Sequence, residues 1–196
     1  MSRLAVDKIV GSNTESIVDF SSITGLKMPA GSVIQVQSTT SDAQTTVSGI
    51  GFTDFISVAI TPKFSSSKIH VSCSINLSAQ NTTGGSTDEG IRYSGVKLFR
   101  DSTQIAVNSN TSGNRTAVWF SANTVAETTN EAYRMANNSG QFIDSPNTTS
   151  AITYKIQIGQ SNQSSSFIVT NTSPIDDNQS YTHHGVSTLT LMEIAQ

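Results

Sequence analysis

The chain has 196 residues, of which 35% are hydrophobic and only 13% charged, with a formal net charge of -3 and a pI near 5.5. Disordered chains pair few apolar residues with high net charge, and phosphate-binding surfaces need clustered Lys and Arg, so this composition excludes a wholly disordered chain and predicts no nucleic-acid partner. Ser, Thr, Asn and Gln supply about two fifths of the residues, a balance that suits a β-rich protein with an uncharged polar exterior better than an ordinary enzyme.

In chain order, the first thirty residues are set apart. Arg3 to Val10 mixes apolar and charged residues, a polar linker from Gly11 to Thr14 follows, and Ile17 to Phe20 and Gly25 to Ser32 lead onward. Leu4, Val6, Ile9 and Val10 need burial somewhere, so residues 1–30 read as an extended arm that anchors on another molecule. Residues 31–196 read as one domain.

Ser32 to Gln37 is the first candidate strand, after Pro29 and Gly31. Phe52 to Thr61 places Ile56, Val58 and Ile60 on one face and ends at Pro62, which cannot donate to a central ladder. Lys68 to Gln80 is the clearest segment: Ile69, Val71, Cys73, Ile75 and Leu77 alternate with His70, Ser72, Ser74, Asn76 and Ser78. A period of two puts one row inside a sheet and the other outside. Gly95 to Arg100 and Gln104 to Val107 flank an Asp101-Ser102 turn as a hairpin, and Ala117 to Ala122 carries Val118, Trp119 and Phe120. Trp119 and Phe120 are consecutive, so alternation predicts that they face opposite ways. Ala126 to Asn137 is the one helix candidate, and its Thr and Asn content favours a loop.

Gln141 to Asp144, Ala151 to Gly159, Ser166 to Thr170 and Ser187 to Ala195 complete roughly nine or ten strands, the number a two-sheet antiparallel sandwich or jelly roll requires. In the last strand Leu189 and Leu191 take one parity while Met192 and Ile194 take the other. A strand apolar on both faces is central in a core or held between core and partner, so these four are candidate subunit-interface residues.

Nothing in the sequence reads as a membrane span, because no apolar run approaches ~18 residues. The segment from Met1 to Ser16 lacks the charged start and apolar stretch of a secretory signal, which predicts synthesis in a cytoplasm. Cys73 is the single cysteine and lies on the apolar face of its strand, where a thiol packs rather than reacts. No nucleophile elbow, zinc-protease helix, phosphate loop or dinucleotide fingerprint is present, so no catalytic residue, cofactor or metal is expected. His183 and His184 would point to opposite sides of a strand, which disfavours a shared ion. Asp88-Glu89 and Asp176-Asp177 read as solvated turns, and hydrolysis of a surface polysaccharide by paired carboxylates is a minor alternative. Aromatic and Arg side chains set among Asn, Ser, Thr and Gln are the stronger signal for recognition. Tyr93, Arg115, Trp119 and Tyr133 are the candidate receptor-binding residues.

The stretch from Gly25 to Gln37, Ile60-Thr61-Pro62, Ser65 to Ile69, Leu98 to Ser102, Asp144-Ser145-Pro146, Thr149 to Lys155 and Leu189 to Ala195 together resemble a β-rich domain of tail-fibre and other virion proteins of tailed bacteriophages, especially phages of cyanobacteria. The resemblance implies a jelly-roll, TNF/C1q-like sandwich assembled as a homotrimer on the virion. It also implies an N-terminal arm that docks on other virion proteins, and contact with a bacterial surface glycan or protein. The sequence departs from a long fibre in having no shaft repeats or coiled-coil heptads. A short tail fibre or fibre tip is therefore the first expectation, and a capsid decoration or head fibre the second.

Overall fold

Alternating apolar side chains organise the chain into two stacked antiparallel sheets. A computed structural model describes residues 28–81, 93–122, 134–162 and 166–196, all of them strand, turn or loop. The strands are β1 (Val33–Ser41), β2 (Thr46–Ser48), β3 (Gly51–Ile60), β4 (Lys68–Asn81), β5 (Ser94–Arg100), β6 (Thr103–Ile105), β7 (Phe120–Ser121), β8 (Ala136–Asp144), β9 (Ile152–Gln160), β10 (Ser166–Thr170) and β11 (Ser187–Ile194).

The first sheet is built on β4, with β8 along one edge; β11 and then β10 lie in line along the other, β1 outside β11 and β2 outside β10. The second runs β3-β9-β5, with β6 and β7 in line along the free edge of β5. The chain crosses between sheets from β2 to β3, β3 to β4, β4 to β5, β7 to β8, β8 to β9 and β9 to β10. Two antiparallel sheets interleaved by such crossings make a jelly-roll sandwich.

The core fills the gap between the sheets. Ile69, Val71, Cys73, Ile75 and Leu77 on β4, with Leu189 and Leu191 on β11, meet Ile56 and Ile60 on β3, Val96 and Leu98 on β5, and Ile152, Tyr154, Ile156 and Ile158 on β9. Burial pushes the Cys73 thiol up to about 12, so it serves as packing. Where β6 turns back from β5, Asp101 adopts a left-handed φ of 53° at the two-residue Asp101-Ser102 turn, and its carboxylate accepts from Thr153 N at 2.9 Å.

Buried polar groups stitch the parts together. Tyr154 of the second sheet donates to Asp144 of the first at 2.7 Å, and Arg100 donates to the same carboxylate oxygen at 2.7 Å, a tie across the sandwich. Burial, reinforced by the Asp144 carboxylate, holds the Tyr154 phenol well above its ordinary value. Glu193 takes the same inward parity as Leu189 and Leu191 and is fully buried; its carboxylate accepts from Gln35 Nε2 at 2.6 Å, Lys63 N at 2.8 Å and Phe64 N at 3.2 Å. Between β10 and β11, Asn171 turns the chain with a φ of 59°, donates to Ser41 O and Ala43 O at 2.9 Å each, and accepts from Ser187 Oγ at 2.6 Å.

Several elements differ from the sequence expectation. β8 starts at Ala136 rather than Gln141, because its inward row of Ala136, Asn138, Gly140, Phe142 and Asp144 hides the apolar alternation. The strand expected over Ala117 to Ala122 shrinks to Phe120–Ser121, since residues 117–119 close a long excursion between β6 and β7. β2 was not foreseen; three residues are too few to show a period. The arm with Leu4, Val6, Ile9 and Val10 lies outside the described residues. So do Tyr133, Asp88-Glu89 and most of the Ala126 to Asn137 segment, whose last two residues open β8.

Candidate functional site

The outer face of the first sheet carries an unusual row. In register across β1, β11, β4 and β8 stand Val36, Met192, His70 and Ile143, all pointing away from the core. Val36 is 51% exposed and Ile143 48% exposed. One step toward the sheet's end, Val33 pairs with Ile194, and Ile194 with Lys68, extending the apolar strip. In the other direction the face turns to hydroxyls and amides: Ser38, Thr190, Ser72 and Gln141, then Thr40, Thr188, Ser74 and Ser139. Ser38 Oγ lies 2.9 Å from Thr190 Oγ1, and Asn137 donates to Ser74 Oγ at 2.7 Å. No carboxylate projects from these outward positions.

This placement corrects one part of the sequence reading. Leu189 and Leu191 are fully buried in the chain's own core and leave no surface for a subunit contact. Of the four candidate interface residues, Met192 and Ile194 alone belong to the outward row.

A second arrangement lies at the opposite sheet, in the excursion between β6 and β7. Asn108, Asn110, Thr111, Arg115, Thr116, Val118, Trp119, Phe120 and Ser121 line an open groove of about 480 Å³. Ala106 (φ 55°) turns the chain out of β6 and Gly113 (φ 65°) turns it back. Gln104 Nε2 braces the return by donating to Ala117 O at 3.0 Å, and Trp119 N donates to Val96 O at 2.7 Å. Both Trp119 and Phe120 lean against the core, their rings 5.1 Å apart and tilted by 56°. They do not face opposite ways as alternation predicts, because Trp119 precedes the two-residue strand and follows loop geometry. Their seat is Gly140 on β8: a Cβ there would overlap the Phe120 ring and come within 3.0 Å of Trp119 Cζ2.

Arg115 is exposed at the groove's rim, where its Nη1 donates to Ser112 O at 3.0 Å and Ser112 Oγ at 3.4 Å. The structure thus brings Arg115 and Trp119 together. Tyr93 is exposed just before β5 and is not among the lining residues. The neutral ring of Asn108, Asn110, Thr111 and Thr116 was not singled out from sequence; its signal was the density of amides and hydroxyls on either side of Arg115. In the β10–β11 connection, His184 pairs with Asp176 at 2.7 Å and Asp177 accepts from Thr182 Oγ1 at 2.6 Å. These close turns upon themselves, and among the described residues no three His, Cys, Asp or Glu side chains form a metal-ligand group.

The topology defines the class: an antiparallel jelly-roll sandwich protein with an apolar strip on one outer face and an aromatic groove beside the other sheet. No protein-family model matches the chain, and no curated protein matches it. Among solved structures, that of infectious bursal disease virus Gx strain is similar at 12% identity with a TM-score of 0.34, the match covering 84% of this chain and 38% of that one.

Proposed function

We propose that the chain is a non-enzymatic structural protein of a virion, a short tail fibre or fibre tip of a tailed bacteriophage. In this reading it assembles as a homotrimer through the outer face of the first sheet. The arm of residues 1–30 docks on other virion proteins, and the loops of the second sheet meet a bacterial surface glycan or protein. The observation that carries the reading is the four-strand row Val36, Met192, His70 and Ile143 on a face without carboxylates, since monomers rarely leave such a strip to water. The bacteriophage assignment is supported by the sequence resemblance.

Deleting residues 2–20 tests the anchor: the truncated chain is expected to remain a folded trimer in solution and to be missing from purified particles. Normal incorporation would overturn the arm's role. Mass spectrometry of separated heads and tails decides the location. Recovery from tails supports the fibre reading, and recovery from heads alone replaces it with a capsid decoration protein.

A further inference from the structure

We infer that the groove between β6 and β7 is a binding site for a carboxylate-bearing saccharide, such as a uronic or sialic acid unit of an acidic surface polysaccharide. The inference rests on the proposed surface-recognition role and names the ligand class at one place. Three features of the lining carry it. Trp119 and Phe120 present fixed aromatic surface, seated on Gly140 and held by the Trp119 N to Val96 O bond, so a ring can stack without first ordering them. Asn108, Asn110, Thr111, Thr116 and Ser121 offer amides and hydroxyls that both donate and accept, the chemistry that matches sugar hydroxyls. Among the described residues Arg115 is the one charged side chain of the lining, and no carboxylate stands beside it there. Its Nη1 is held by the Ser112 backbone and hydroxyl, which fixes the guanidinium at the rim. A planar guanidinium is the side chain best matched to a carboxylate, through paired charge-assisted hydrogen bonds. A groove meant for neutral sugar would need no such cation.

Trp119 is the chain's single tryptophan, so intrinsic fluorescence reports directly on the groove. The full chain is titrated with oligogalacturonate, oligoglucuronate and oligosialate, and with the same three saccharides after reduction of each carboxyl to the primary alcohol. At least one acidic form is expected to shift Trp119 emission saturably and to bind roughly 10-fold more tightly than its reduced counterpart. Arg115→Gln should lose about the same factor for the acidic form and lose nothing for the reduced one. Because Arg115 is exposed and, among the described residues, donates to Ser112 three positions away, this variant should melt like the wild type. Equal binding of acidic and reduced forms, or an unchanged affinity in Arg115→Gln, overturns the acidic ligand while leaving saccharide recognition standing. Silence of Trp119 toward all six saccharides overturns the site itself, whereas the virion role fails or stands on particle incorporation.

Discussion

The two outer faces of the sandwich back onto one core yet are finished differently. On the second sheet, Asp54, Lys155, Gln157 and Lys97 project outward: Lys155 Nζ lies 2.8 Å and Gln157 Nε2 2.7 Å from the Asp54 carboxylate, and Lys97 Nζ sits 3.8 Å over the Phe52 ring. On the first sheet the matching positions hold Val36, Met192 and Ile143 around His70, then rows of Ser and Thr. Charges that satisfy each other at the surface suit permanent contact with water, and a flat apolar and hydroxyl face suits a neighbouring protein surface. In the proposed assembly the first face meets a second copy of the chain and the other meets water.

The largest effect is expected from breaking the apolar row. Ile143→Lys places a charge at an exposed position of the monomer, so the fold should hold while the proposed trimer, three times 20.8 kDa by light scattering, falls to a single chain. Ser57→Lys, at an exposed position of β3, should leave the mass unchanged.

The shared core is the next target. Leu191→Ala, on the inner side of the strand that carries Met192, should destabilise the fold by about 2–5 kcal/mol in chemical denaturation while its outward neighbours stay in place. The cross-sheet tie is weaker. Tyr154→Phe removes one of two donors to Asp144 and leaves Arg100, so a loss of about 1–3 kcal/mol is expected from the same measurement.

The smallest effect belongs to the solvated face. Hydrogen bonds from Lys155 and Gln157, with the Lys155 charge beside them, hold the Asp54 carboxyl below its ordinary value of 3.8. A depressed carboxylate contributes stability that is present above that value and is lost as pH falls through the lower, folded one. With the Asp54 side chain 55% exposed, Asp54→Asn should change stability by only about 0.5 kcal/mol at neutral pH and reduce the loss seen on acidification.

The two faces were unequally legible in the sequence. Alternation in Lys68 to Gln80, Phe52 to Thr61 and Ala151 to Gly159 marked β4, β3 and β9, because their inward rows are almost wholly aliphatic. β8 hid its length, since its inward row holds Asn138, Gly140 and Asp144, of which Gly140 seats Phe120 and Trp119 and Asp144 takes the Tyr154 tie. Parity in Ser187 to Ala195 separated Met192 and Ile194 from the two leucines, but the residues that complete the strip, Val33, Val36, His70 and Ile143, come from three other strands far away in the sequence. Glu193 shares parity with Leu189 and Leu191, a hint of its burial, although the backbone donors that satisfy it come from the β3–β4 connection. In the groove, Arg115 and Trp119 were visible as residue types, whereas their meeting depends on the loop's return along β5.

Oxidation of Met192 by hydroxyl radicals tests the contrast most directly, because a thioether at the centre of the row reports its own access to solvent. Labelling the full chain and its Ile143→Lys variant at equal concentration, we expect Met192 to oxidise several-fold more slowly in the wild type, with Phe99 on the second sheet equal in both. Equal oxidation of Met192 in the two proteins would contradict the account, since the first sheet's outer face would then be as open to water as the second's.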